Sequence, residues 1–178
     1  MKRLLSFLLL SIIGFTLSAF IVFNTNFPVS NVQPNTPNYK YIQNELLYAD
    51  LELFDGSKIK IVDLNKDKVV LLDFWYLSCL PCLRSIPHLI NLQEKYKDNL
   101  VILGINDVDH SEMITKFFTA KEANYLSTFK TDINFTKNAE IYAAPTLVLI
   151  NKQGKVLESF NGWNKRKIQK AINSAIKN

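Results

Sequence analysis

The chain has 178 residues, with 21 Lys and Arg against 16 Asp and Glu, for a net charge of +5. Without Lys2 and Arg3 the balance is 19 against 16, too weak a field to imply a nucleic-acid partner. Only two cysteines occur, Cys79 and Cys82, so no structural bridge competes with that pair, and zinc would need both His88 and His110 to reach four ligands.

Lys2 and Arg3 precede the uncharged run Leu4 to Phe23, which is long enough to span a bilayer. A cleavable signal peptide carries a small-x-small site just before its cut, whereas Leu17-Ser18-Ala19 has a bulky residue at the first of those positions. Residues 1–23 are therefore expected to be a membrane anchor in preference to a signal peptide. The two basic residues would stay in the cytoplasm and leave the following domain outside it, where disulfides persist. Asn24 to Asn44, rich in Asn and containing Pro28, Pro34 and Pro37, reads as a flexible linker, leaving 45–178 as one folded domain.

Within that domain strand and helix patterns alternate, which implies an α/β fold with a mixed central sheet covered on both faces. Leu46 to Ile61 reads as a hairpin turning at Asp55-Gly56, and Val69 to Trp75 as a buried strand. A helix over Leu80–Tyr96 should bury Leu83, Ile86 and Ile90, with Pro87 bending it. Val101–Ile105 reads as a fully buried strand. Asp109 with Glu112 has the spacing of a capping box, opening a helix whose Met113, Ile114, Phe117 and Phe118 share one face. A short strand is expected over Leu126–Lys130 and a helix over Phe135–Ile141. Thr146–Ile150 and Lys155–Phe160 form a second hairpin about Lys152-Gln153-Gly154, and the last helix begins near Asn164 and buries Ile168, Ala171, Ile172, Ala175 and Ile176.

Cys79-Leu80-Pro81-Cys82 lies where the Val69–Trp75 strand gives way to a helix. Free N–H groups and the positive dipole end at a helix start favour a thiolate over a thiol. The first cysteine is thus the nucleophile, and the second can resolve the mixed disulfide. Pro81 is tolerated in the first turn, where its missing N–H costs nothing. A structural disulfide of so short a loop would constrain the unfolded chain little. Asp73 interrupts an otherwise apolar strand, and a carboxylate buried there needs a task or a partner. Pro145 suits the start of the strand from Thr146.

These residues resemble the thioredoxin superfamily. Val70-Leu71-Leu72-Asp73-Phe74-Trp75, the Cys79-Leu80-Pro81-Cys82 motif, Pro87 and Ala144-Pro145-Thr146 are similar, more narrowly, to membrane-tethered TlpA/ResA-type thiol–disulfide oxidoreductases over about 45–177. The resemblance implies a thioredoxin-like fold with an N-terminal hairpin and an inserted helix–strand before a strand opened by a cis Pro145. It implies that Asp73 assists deprotonation of Cys82, and that the backbone of Ala144 pairs with an extended substrate. Trp75, Leu80 and Pro81 are the further candidates for substrate contact. Ser78 stands where the family usually has an aromatic residue, and Ser85 where ResA-type members carry a glutamate. No cofactor beyond a redox-active Cys79–Cys82 disulfide is implied. The expected partners are an exported disulfide-containing protein, such as apocytochrome c, and a membrane electron donor of the dithiol type. A dithiol oxidase and a Cu(I) chaperone are the alternatives, although neither Met1 nor Met113 belongs to the motif.

Overall fold

The structure, a computed structural model, describes residues 36–178. The expected anchor over 1–23 and the linker up to residue 35 lie outside the described residues. Among the described residues no helix is long and apolar enough to cross a membrane.

Five strands form the central sheet in the order β5-β4-β3-β6-β7. The middle strand β3 (Val69–Phe74) is buried at every position. It pairs in parallel with β4 (Leu100–Ile105) and antiparallel with β6 (Thr146–Ile150). The edges are β5 (Leu126–Ser127), parallel to β4, and β7 (Val156–Asn161), antiparallel to β6. A strand flanked on both edges and covered on both faces has to be apolar throughout, as this one is but for Asp73.

Successive β3 side chains point to opposite faces, and two cores result. Val69 and Leu71 face one core with Trp75, the helix α3 (Leu80–Lys95), α4 (Ser111–Lys121) and α6 (Lys165–Lys177). Val70, Leu72 and Phe74 face the other, with α1 (Tyr39–Asn44), the 3-10 turn Leu46–Tyr48, α2 (Ile61–Leu64) and α5 (Phe135–Asn138). By the same alternation Asp73 belongs to the first face, where α3 packs.

The linker expected up to Asn44 ends earlier. Tyr39–Asn44 is helical, capped by the Asn38 side chain on the Tyr41 N–H at 3.0 Å. Ile42 is wholly buried in the second core, and the Gln43 amide oxygen accepts the Val156 N–H at 2.7 Å. Ile42 is the only aliphatic residue of those six, so its one buried contact was hidden by polar and Pro-rich neighbours.

The N-terminal strand pair is short, with β1 (Leu51–Glu52) antiparallel to β2 (Lys58–Ile59). Its turn uses Gly56 at φ 84°, a conformation open to residues without a Cβ. The Phe54 N–H then donates to the Ser127 carbonyl at 3.0 Å, fastening this unit to the sheet edge. On α3 the buried stripe is Cys82, Ser85, Ile86, Leu89 and Leu92, with the expected Leu83 and Ile90 at its shoulders. Pro87 sits inside α3 without ending it. Strand β5 stops at Ser127 and α5 at Asn138, both shorter than their patterns. The Thr128 hydroxyl bonds to Asn106, and Glu140 takes φ 54°, which terminates the helical run.

Candidate active site

Trp75 to Ser78 carries the chain from β3 into α3, and four contacts fix it. The Trp75 N–H continues the ladder to the Ile105 carbonyl at 3.1 Å. Its indole Nε1–H donates to Ser127 Oγ at 3.0 Å, and its ring stacks on Phe118 at 5.2 Å. This packing requires Gly104, because a Cβ there would lie 2.7 Å from the indole nitrogen and 2.6 Å from Ser127 Oγ. Further along, the Leu77 N–H donates to Asp109 Oδ2 at 2.7 Å. Asp109 is held in turn by Asn106, whose Nδ2 donates to the same oxygen at 2.9 Å and whose Oδ1 accepts the Asp109 N–H.

The capping box expected from Asp109 and Glu112 does not form. His110 is the N-cap of α4 and makes no side-chain cap, because the Asp109 carboxylate is committed to the loop before Cys79.

Cys79 and Cys82 are joined as a disulfide with their Cα atoms 5.2 Å apart. Cys79 is itself the N-cap of α3, and its sulfur accepts the Cys82 N–H at 3.2 Å. That N–H and the helix dipole favour negative charge at this sulfur once the bond is reduced. Cys79 is 4% exposed and Cys82 fully buried, so the first sulfur is the one an incoming group can reach. Leu80, 66% exposed, and Pro81 form the outer surface around it. Ser85 is buried and donates to the Cys82 carbonyl at 2.8 Å.

Asp73 is wholly buried, and neither carboxylate oxygen has a hydrogen-bond partner. Its sheet neighbours are Gly104 and Leu147, which offer no side-chain donor. Burial raises its pKa to about 7, since desolvation penalises the charged form. The Tyr125 hydroxyl is buried and equally unpartnered, and burial and the Asp73 charge push its pKa well up.

The Ala144–Pro145 peptide bond is cis. Thr146 pairs with Phe74 at the end of β3, which brings Ala144 and Pro145 to the same end of the sheet from which Cys79 departs. Ala144 packs against the core that contains both cysteines. Between Ala144 and Trp75-Tyr76 opens a cleft of about 240 Å³, with Asp107, Val108 and Tyr142 in its lining. Trp75 is only 2% exposed, so it meets this cleft as part of a wall and is otherwise a core aromatic.

His88 stacks on Trp163 at 5.3 Å, and no group of three or more metal-ligating side chains occurs among the described residues. Sequence reasoning missed Gly104, Tyr125, Asp107 and the true task of Asp109. The Asn-x-x-Asp spacing of Asn106 and Asp109 was the one local signal available, since such residues bond to nearby backbone in turns.

A family model described as thioredoxin-like matches residues 66–156. A thiol-disulfide oxidoreductase ResA of Bacillus cereus is 37% identical over 118 residues, covering 64% of this chain and 64% of that protein. ResA of Bacillus anthracis is 30% identical over 168 residues, covering 90% of this chain and 86% of that protein. A Chlorobium tepidum crystal structure, provisionally assigned as the thiol:disulfide interchange protein DsbE, superposes with a TM-score of 0.65 at 26% identity. It covers 72% of this chain and 92% of the other.

Proposed function

Because the chain belongs to the thioredoxin-like family, we propose that it is a thiol–disulfide oxidoreductase. In this reading it reduces disulfides of exported proteins outside the cytoplasm. The observation that carries the proposal is the Cys79–Cys82 disulfide at the start of α3, on the sheet face that also holds the buried Asp73.

In the reduced protein the Cys79 thiolate attacks one sulfur of a substrate disulfide. A bond forms between Cys79 Sγ and that sulfur, and the other substrate sulfur leaves as a thiolate and takes a proton from water. Cys82 then gives its proton to the Asp73 carboxylate and attacks Cys79 Sγ, closing the Cys79–Cys82 disulfide and releasing the second substrate sulfur as a thiolate that takes a proton from water. A base with a pKa of about 7 is suited to this step, because it is partly ionised near neutral pH and can return the proton afterwards. A membrane dithiol partner supplies the two electrons and two protons that restore the reduced pair.

Reduction is favoured over oxidation by what surrounds Cys79. Strong oxidants stabilise their reduced form with added contacts to the nucleophilic thiolate. Leu80 and Pro81 carry no side-chain donor, and Pro81 has no N–H. The substrates that fit best are disulfides in extended, accessible segments, apocytochrome c among them. Residues 1–23 would hold the domain at the membrane face.

A redox titration of the full chain against a thioredoxin or glutathione buffer tests the direction. The expected potential is near that of thioredoxin, about −270 mV, while a value near −120 mV would make the protein an oxidase.

A further inference from the structure

We propose that the cleft beside Ala144 is a specificity subsite that receives a basic side chain of the substrate, next to its target cysteine, with the Asp107 carboxylate as counter-charge. The proposal rests on the redox reading above and names a chemical feature of the substrate.

The cleft measures about 240 Å³, below the roughly 300–1,000 Å³ usual for small-molecule sites, so it suits one side chain. Its position fits a substrate already held at the sulfur. Trp75 and Tyr76, which lead into Cys79, form one side, and Ala143 and Ala144 the other. A peptide that offers its cysteine to Cys79 and runs past Ala144 lays a neighbouring side chain over this opening. Tyr142, 76% exposed, and Val108, 56% exposed, form an apolar rim that can cover the methylene stem of a lysine or arginine.

The polar end of such a side chain would meet Asp107. The Thr136 N–H donates to Asp107 Oδ2 at 2.6 Å, which fixes the carboxylate. Oδ1 is shielded from solvent, and burial raises the carboxyl pKa while hydrogen bonds from Thr136 and the Phe135 backbone favour the ionised form. No Lys, Arg or His lines the cleft among the described residues, so the Asp107 carboxylate has no counter-charge there. An ammonium or guanidinium entering the cleft supplies that counter-charge and favours the ionised carboxylate.

Single-turnover reduction separates this idea from the redox reading itself. The pre-reduced full chain in detergent is mixed with disulfide peptides that are identical except for Lys, Gln or Glu beside the cysteine, on either flank. The lysine peptide should react about tenfold faster than the glutamate peptide at low ionic strength, with the gap narrowing in salt. In Asp107→Asn the amide oxygen can keep the Thr136 N–H while the amide N–H₂ turns to the cleft, so the lysine preference should disappear or reverse. The readout is a ratio within one variant, which loss of fold does not imitate. Equal rates for all peptides, or the same ratio in wild type and Asp107→Asn, would overturn the subsite and leave the redox reading standing. Failure to reduce any peptide would overturn both.

Discussion

The Asp109 carboxylate accepts the Leu77 N–H at 2.7 Å, and so ties the loop before Cys79 to the segment that follows β4. The same oxygen takes the Asn106 amide at 2.9 Å, which makes Asp109 the junction between the two loops at this end of the sheet. Their position outside the carboxyl ends of parallel strands is where open α/β sheets assemble their sites.

Asp109→Ala should therefore loosen the approach to Cys79. Two donors lose their acceptor, for a cost of about 1–3 kcal/mol in stability. Attack on a model disulfide should slow by roughly tenfold, since small displacements of reacting groups are expensive. Asp109→Asn can still accept from Leu77 and should lose less. Urea melts and stopped-flow attack rates on the two variants check this, and equal attack rates in Asp109→Ala and wild type would remove the loop contact from the mechanism.

Asp73 makes stability depend on pH in a stated direction. Its pKa in the fold is about 7 against an ordinary 3.8, so the folded state binds its proton more tightly than the unfolded state does. Stability is then unpenalised below about pH 4 and falls as pH rises toward 7, by about 4 kcal/mol in full. Asp73→Asn removes that dependence. It should be more stable than wild type at pH 8 and no more stable at pH 4, where both side chains are neutral. It should also slow resolution of the mixed disulfide more than its formation. Denaturant melts at the two pH values and separate rates for the two steps provide the comparison.

The elements that could be read from the sequence were those whose signal is local. The apolar run of β3, the cysteine pair opening α3, the β6–β7 hairpin and the 3.6-residue stripe of α6 follow from neighbouring residues. Asp73 stood out for the same reason, as one charge in an apolar strand. The supports of the site depend on distant partners instead. Leu77 meets Asp109 across 32 positions and Trp75 meets Ser127 across 52, and nothing in either local pattern announces the other. Asp109 was misread because an acidic residue just before a helix usually serves the helix. Gly104 looked like one more residue of a buried strand, although the missing Cβ is what admits the Trp75 indole.

Gly104→Ala tests that close approach. The added Cβ would fall within 3.0 Å of the Trp75 indole nitrogen and Ser127, so their hydrogen bond has to open. Overpacking and a lost buried bond together suggest a loss of about 2–4 kcal/mol. Tryptophan fluorescence should shift as the Trp75 environment changes. A variant as stable as wild type would show that the strand yields without cost.

The domain boundary gives a fourth outcome. A fragment of residues 36–178 should melt cooperatively, whereas one starting at residue 45 loses Ile42, which is fully buried, and the Gln43 bond to Val156. Burial of Ile42 alone contributes about 1.5–3 kcal/mol. Thermal melts of the two fragments decide it, and matching midpoints would mean that α1 adds nothing.

The central claim is the division of labour between the two cysteines, and covalent trapping measures it directly. Cys82→Ser, reduced and mixed with a disulfide peptide, should accumulate a mixed disulfide that mass spectrometry maps to Cys79. Cys79→Ser should form no such adduct and reduce no substrate, because its remaining thiol is wholly buried. A stable adduct on Cys82 in Cys79→Ser, formed as fast as the adduct on Cys79, would contradict the account.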